Sequence, residues 1–186
     1  MNLADSERSG VDALPGDLMM WVLIVSELVV FGAGLAAFLA VRLTDPAGFA
    51  EAQSYLHKTG AGINTVILVT SGWLAALAVR AIEAGQVART RVLLAVAAVF
   101  GIAFLWIKGI EYADKAAQGI NTETHPFFTF YYLLTGFHAV HVVAGIVILG
   151  LIAWKATPRN VEVGTAFWHM VDLVWVILFP ILYLLG

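Results

Sequence analysis

Five side chains that could carry chemistry lie inside long apolar stretches of this sequence. They are two acids and three histidines: Glu27, Asp172, His138, His141 and His169. A charged side chain at the middle of a membrane helix costs at least about 2.5–3.5 kcal/mol on insertion scales, so each one requires a partner or a function. Carboxyl and imidazole groups can relay protons or contact lipid headgroups, and histidine can also bind haem iron or another metal.

Glu27 lies near the middle of the first apolar stretch, about 14 Å deep at a rise of about 1.5 Å per residue. We expect it to face protein or water rather than lipid tails. Two interpretations stay open for it. One is a proton relay or a headgroup contact, and the other, which we favour, is a structural hydrogen bond to a neighbouring helix.

The histidines also form a pattern. Thr135, His138 and His141 recur at i, i+3 and i+6, which places them on one side of a helix. His169 and Asp172 are three residues apart, so the carboxylate could orient the imidazole or meet another helix. Haem or metal ligation is the alternative to hydrogen bonding between helices. We favour hydrogen bonding, because two histidines on one helix face cannot approach one iron from opposite sides.

The amino-acid composition indicates the class of protein to which these side chains belong. Of the 186 residues, 61% are hydrophobic and only 12% are charged, and the mean hydropathy is +0.88. Such a balance excludes a water-soluble globule. Without cysteine the chain can form no disulfide, thiolate metal site or iron–sulfur cluster. The formal charge of −3 has no basic cluster with it, so we exclude nucleic acid as a partner.

Apolar runs of about 20 residues are long enough to cross a bilayer as helices. We therefore predict an all-α, polytopic membrane protein with an exposed tail at 1–17 and a five-helix transmembrane domain at 18–186. The predicted spans are 18–41, 63–82, 92–110, 127–154 and 164–185.

Small residues in the first span repeat at a spacing that permits close helix approach, and Gly32 and Ala36 are our helix-packing candidates there. Lys108, Glu111 and Tyr112 end the third span. A lysine stem there could snorkel to the interface while Glu111 pairs with it or with Lys115, or all three could form a solvated helix end. Tyr183 near the last span end fits an interface-anchoring aromatic.

The distribution of lysine and arginine predicts the orientation. One side of the membrane collects Arg8, Arg80, Arg89, Arg91, Lys155 and Arg159, and the other collects Arg42, Lys58, Lys108 and Lys115. Positive residues favour the cytoplasmic side. We therefore predict a cytoplasmic N-terminus and, after five spans, an external C-terminus.

Four segments together resemble subunit III of the haem–copper (cytochrome c) oxidases. They are WVLIVSELVVFGAG with Glu27, GINTVILVTSGW with Asn64, FFTFYYLLTGFHAVHVVAG with His138 and His141, and AFWHMVDLVWVILFPILYLLG with His169 and Asp172. The resemblance covers about Leu14 to Gly186, and implies a bundle like the last five helices of the seven-helix subunit. The WIKGIEY segment before FFTFYYLLTGFH is most similar to the accessory subunit associated with nitric oxide reductase.

The resemblance implies a non-catalytic subunit in the bacterial inner membrane. Its partners would be the catalytic subunit I of a haem–copper oxidase or nitric oxide reductase, the other subunits and membrane lipids. Haem and copper would lie in the partner subunit, and this chain would carry no cofactor of its own, although it could bind phospholipid. Glu27, His138, His141, His169 and Asp172 would be proton-contact or lipid-contact positions, and Asn64 a further helix-packing candidate. The alternative is a stand-alone proton or ion conductor, with Glu27 and the histidines lining its path.

Overall fold

The computed structural model describes residues 18–185, so the predicted tail at 1–17 and the last residue lie outside the described residues. The described part is helical throughout. Its helices are α1 (Leu18–Arg42), α2 (Pro46–Ser54), α3 (Lys58–Glu83), α4 (Val87–Ala117), α5 (Pro126–Trp154) and α6 (Pro158–Tyr183). All except α2 are long and apolar enough to cross a membrane. The predicted fold class, an all-α bundle with five spans, is confirmed.

The long helices extend beyond the apolar runs that predicted them. α3 begins at Lys58 rather than at residue 63, and α4 continues to Ala117 rather than ending at 110. Polar residues can complete the first and last turns of a membrane helix in the headgroup region, where they remain hydrated. A count of apolar residues therefore finds the part of each helix that crosses the hydrocarbon core and underestimates the full length of the helix.

Proline residues in the connections begin helices. Pro46, Pro126 and Pro158 each occupy the first turn of a helix, where the missing N–H costs no hydrogen bond. The residue before each proline caps that helix. For α2, Asp45 Oδ1 accepts a hydrogen bond from the backbone N–H of Gly48 at 3.0 Å. The short helix α2 was not predicted, because we interpreted Asp45-Pro46 and Gly48 only as breakers of a connection.

The bundle is centred on α6. Thirteen of its residues are buried, including Trp168 and Trp175, whereas α1 buries only Phe31, Leu35 and Phe38. α6 packs against α3, α5 and α1, and α4 packs against α3 and α5. Polar hydrogen bonds connect the central helices. Trp168 Nε1 donates to Ser71 Oγ at 3.1 Å, and Ser71 Oγ donates to the Ala97 carbonyl at 2.7 Å.

Gly145 is one of the glycines on which close helix packing depends. A Cβ built on Gly145 of α5 would overlap the ring of Trp168, whereas one built on Gly150 of the same helix would meet nothing within 4 Å. The absence of a side chain at Gly145 lets the indole of α6 lie against the α5 backbone.

Candidate functional sites in the membrane-spanning bundle

The structure pairs Glu27 of α1 with His141 of α5. His141 Nε2 lies 3.1 Å from Glu27 Oε2, and the two side chains are 13% and 26% exposed. The rings of His141 and Phe31 meet edge to face at a centroid distance of 5.5 Å. Glu27 therefore has the neighbouring-helix hydrogen bond that we favoured from the sequence, at the seam between α1 and α5.

A second hydrogen bond of His141 fixes how protons are distributed in this pair. His141 Nδ1 lies 2.9 Å from the carbonyl oxygen of Phe137, which can only accept, so Nδ1 carries a proton. In the neutral ring Nε2 is then an acceptor. The hydrogen bond to Glu27 consequently requires one more proton, held either by the carboxyl group or by the imidazole. The geometry of the pair allows one proton to be held between two helices.

His138 is in a different environment although it lies one turn away on the same helix. Its side chain is completely buried, and neither ring nitrogen has a hydrogen-bond partner among residues 18–185. The ring stacks on Trp175 at a centroid distance of 5.2 Å and meets Phe104 edge to face at 5.7 Å. Our preference for hydrogen bonding between helices thus fits His141 and does not fit His138, which is packed as an aromatic ring.

Asp172 of α6 faces α3. Its Oδ2 lies where a Cβ of Gly72 would be, so the carboxyl group touches the α3 backbone directly. His169 Nδ1 is 3.9 Å from Asp172 Oδ2, too far for a hydrogen bond, and the His169 side chain is 44% exposed. Asp172 Oδ1 is buried without a partner among the described residues. The i, i+3 spacing therefore places the two groups side by side without making the carboxylate orient the ring.

The three helix-packing candidates separate into two groups. Asn64 is buried and its Nδ2 donates to the Phe104 carbonyl at 3.2 Å, which connects α3 to α4. Gly32 and Ala36 lie on the exposed face of α1, and a Cβ on Gly32 would meet nothing within 4 Å. They do not pack against another helix of the described chain. We expected these small residues to pack within the bundle, and their exposed position in this chain contradicts that expectation.

A buried polar cluster around Lys108 was not predicted from the sequence. Lys108 Nζ lies 3.0 Å from Glu111 Oε2 and 3.0 Å from the Tyr131 hydroxyl, and it also contacts the Tyr183 hydroxyl. Tyr183 donates to Glu111 Oε1 at 2.9 Å. The side chains of Lys108 and Glu111 are 3% and 9% exposed. This group, which we call the Lys108 cluster, connects α4, α5 and α6.

Four aromatic rings surround the ammonium group of the Lys108 cluster. Its Nζ is 4.7–5.4 Å from the ring centroids of Tyr112, Tyr131, Trp175 and Tyr183. Each face offers a cation–π attraction that is stronger away from water. The prediction that Lys108 snorkels, and the alternative of a solvated helix end, are therefore wrong. The predicted Lys108–Glu111 pairing is present, and Tyr183 is a core residue rather than an interface anchor.

A signal for this cluster was present in the sequence. Lys108 and Glu111 have the i, i+3 spacing of an intrahelical ion pair, and Tyr131 and Tyr183 lie near the ends of the spans that share one membrane face with the end of α4. What the sequence could not provide is the rotation of α4. Only the packed bundle shows that Lys108 and Glu111, near the end of α4, face the core.

Comparisons with known proteins identify the architecture. The family model for cytochrome c oxidase subunit III matches residues 16–186. The chain is 30% identical over 181 residues to cytochrome c oxidase subunit 3 of Synechocystis sp., covering 91% of this chain and 76% of the relative. It is 30% identical over 173 residues to the same subunit of Corynebacterium diphtheriae, covering 87% and 84%.

The chain belongs to the cytochrome c oxidase subunit III family. It also matches, at 29% identity over 184 residues, a protein of Aeropyrum pernix named heme-copper oxidase subunit I+III, covering 89% of this chain and 22% of that longer polypeptide. The family assignment predicted from the four sequence segments is thus confirmed, and the chain is a multi-pass membrane protein.

Family membership also indicates which subunit of a haem–copper oxidase holds haem and copper. In subunit III of haem–copper oxidases there is no catalytic cofactor, since haem and copper belong to subunit I. Residues 18–185 of this subunit III chain contain no group of three or more His, Cys, Asp or Glu side chains that could hold a metal ion. Glu27 with His141, and separately the Lys108 cluster, join neighbouring helices through hydrogen bonds.

Proposed function

We propose that this chain is a non-catalytic subunit of a haem–copper terminal oxidase or nitric oxide reductase. It binds the catalytic subunit I and supports assembly, stability and proton uptake of the complex in respiratory electron transport. The match of the subunit III family over residues 16–186 carries this proposal. The partner is supported by the Aeropyrum pernix relative, whose name joins subunits I and III in one polypeptide.

The Glu27–His141 pair supports the proton-uptake part of the proposal. It shares one proton and remains partly exposed at the edge of the bundle, so a donor or acceptor outside this chain can reach it. A fully buried group such as His138 has no such access. We expect the shared proton to exchange with water or with a proton-conducting group of the neighbouring subunit.

Affinity purification of the tagged full-length chain after gentle detergent extraction tests the partner. Mass spectrometry should identify a haem–copper subunit I, and the preparation should show a Soret band that the isolated chain lacks. Recovery of this chain alone, under extraction conditions that preserve oxidase complexes, would contradict the proposal. Proton flux through liposomes that contain only this chain would instead support the stand-alone conductor.

Turnover assays on the same complex decide between oxygen and nitric oxide. The WIKGIEY segment resembles the nitric-oxide-reductase-associated subunit, and this resemblance is the basis of the finer proposal. Reduction of nitric oxide without oxygen consumption would support it. Oxygen consumption with no nitric oxide reduction would assign the chain to a terminal oxidase.

Proton uptake is tested with the Glu27→Gln variant in the purified complex. We expect slower proton uptake and unchanged haem content, because the amide cannot hold the shared proton. Glu83→Gln, at the exposed end of α3, is the matched control. Equal uptake rates in Glu27→Gln and Glu83→Gln would remove proton supply from the proposed function and leave assembly and stability.

We further propose that the chain lies in the bacterial inner membrane with its N-terminus in the cytoplasm. Because the sequence has no cysteine, single cysteines can report topology without background. A cysteine at Gln118, between α4 and α5, should be labelled by an impermeant thiol reagent from outside. A cysteine at Gln86, between α3 and α4, should be labelled only after the membrane is opened. The reverse pattern would invert the orientation.

A further inference from the structure

A cavity of about 630 Å³ lies at one end of the bundle, between α2 and the connection from α4 to α5. Its apolar floor includes Ala52, Ile120 and Phe128, and polar side chains line the walls. Its volume is within the roughly 300–1,000 Å³ range of small-molecule sites, which are typically apolar with a few polar groups. Neither Glu27 nor His141 lines this cavity.

Three of the polar side chains that line this cavity, Glu51, Tyr55 and Gln118, keep a polar atom without a partner among the described residues. The Glu51 carboxylate has no hydrogen bond or ion pair among residues 18–185, and the same is true of the Tyr55 hydroxyl. Gln118 donates through Nε2 to Asp114 at 2.9 Å, which leaves its amide oxygen to accept. A carboxylate and an amide oxygen beside aromatic rings suit a ligand that carries positive charge and several N–H donors.

The remaining charged groups near the cavity are already engaged. Asp45 caps α2 through Gly48 and lies 3.3 Å from His125 Nε2. His125 Nδ1 accepts the backbone N–H of Phe127 at 3.1 Å, so neither ring nitrogen is available to a ligand. The cavity lining contains no lysine or arginine. Glu51 is consequently the side chain that sets the charge preference of this cavity.

We propose that this cavity binds a primary ammonium group, and that its source is the ethanolamine headgroup of a membrane phospholipid. The lining belongs to α2, to the α4–α5 connection and to the start of α5, which lie where the long helices end and where headgroups are found. The ammonium group contacts Glu51 and Gln118, the Tyr55 hydroxyl donates to a phosphate oxygen, and the apolar floor accommodates the start of the acyl chains. A free amine would leave the floor unused.

Native mass spectrometry of the purified full-length chain tests this site, using nanodiscs of phosphatidylethanolamine or phosphatidylcholine as the source of lipid. The chain should retain phosphatidylethanolamine preferentially, because the trimethylammonium group of phosphatidylcholine has no N–H to donate. Glu51→Gln should lower that retention about three- to tenfold, as expected for loss of a charge-assisted hydrogen bond at a partly hydrated site. Equal retention of the two lipids by the unmodified chain would overturn the proposal.

Glu123→Gln is the matched control. Glu123 is an exposed acid on the α4–α5 connection, which borders the cavity, but Glu123 itself does not line it. This variant should retain phosphatidylethanolamine like the unmodified chain. An equal loss in both variants would mean a general effect of surface charge and would refute a site at Glu51. Displacement of the lipid by soluble phosphoethanolamine at equal concentration would refute the lipid as source, since the apolar floor would then add nothing. Both acids are exposed, so both variants should fold.

Discussion

Helices α6 and α1 each carry one acid within a long apolar stretch, Asp172 in α6 and Glu27 in α1. Their positions in the bundle differ. Of the most apolar 18-residue window of each helix, 56% is buried in α6 and 17% in α1. The Lys108 cluster, to which α6 contributes Tyr183, is enclosed by other helices. At α1 the acid forms one hydrogen bond at an edge.

This difference indicates two uses for polar groups in one membrane bundle. The Lys108 cluster satisfies its charges internally and joins three helices, so its contribution is to the stability and uniqueness of the core. The Glu27–His141 pair joins two helices and stays accessible, so its contribution is to chemistry with an external group. Substitutions should therefore affect unfolding most around α6 and proton exchange most at α1.

Lys108→Met should give the largest loss of stability. It leaves the Glu111 carboxylate buried without its counter-ion, and breaking a buried pair in this way typically costs about 3–5 kcal/mol. The free energy of unfolding of the purified chain in detergent, from denaturant titration, measures it. The double variant Lys108→Met with Glu111→Leu is the control and should recover most of the loss, because no lone charge remains. A double variant less stable than the single one would contradict this account.

Gly145→Ala should be the next largest effect. The added methyl group overlaps the Trp168 ring, which is held by its hydrogen bond to Ser71 and cannot move freely. Overpacking of this kind costs about 1–3 kcal/mol, measured in the same unfolding experiment. Gly150→Ala on the same helix meets open space and should be neutral or slightly stabilising, because alanine favours helix. Equal losses at both glycines would show that the α5–α6 contact is looser than described.

Much of the fold followed from the sequence because membrane helices are set by length and apolarity. We predicted the five spans, the family and a hydrogen bond from Glu27 to a neighbouring helix, but not that His141 is the partner. The rotation of each helix about its own axis, which decides the side chains that face the core, could not be predicted from the sequence. Gly32 and Ala36 were expected to pack in a bundle and face outward in this chain, whereas Lys108 was expected at the surface and is buried.

The physical reason is that a membrane removes the usual sequence signal for orientation. In a water-soluble helix, polar residues mark the outward face. Here the outward faces are as apolar as the core, so periodicity carries little information about which side is buried. His138 and His141 illustrate the limit. They share one side of α5, yet one ring packs among aromatic rings and the other binds Glu27.

The Glu27–His141 pair should contribute less to stability than either core feature. Polar pairs between membrane helices contribute about 0.6 kcal/mol on average and at most about 1.7 kcal/mol, because the separated groups find other partners. A double-mutant cycle with Glu27→Gln and His141→Phe should give a coupling energy in this range. A coupling as large as the loss at Lys108 would make the pair a structural element like the Lys108 cluster and remove the contrast between α6 and α1.

Asp45 should give the smallest effect, confined to acid pH and to the start of α2. Hydrogen bonds from the Gly48 N–H and from His125 lower the pKa of its carboxyl group below the usual value of 3.8. A lowered pKa in the folded state means that the contribution is complete above the unfolded value and is lost as the pH falls through the folded one. Hydrogen exchange at the Gly48 amide should therefore accelerate only in strong acid. In Asp45→Asn, which cannot ionise, exchange should lose that pH dependence, while the Lys108 cluster and the rest of the bundle keep their protection. A shift at ordinary acidic pH, near the titration of an unperturbed carboxyl group, would contradict this.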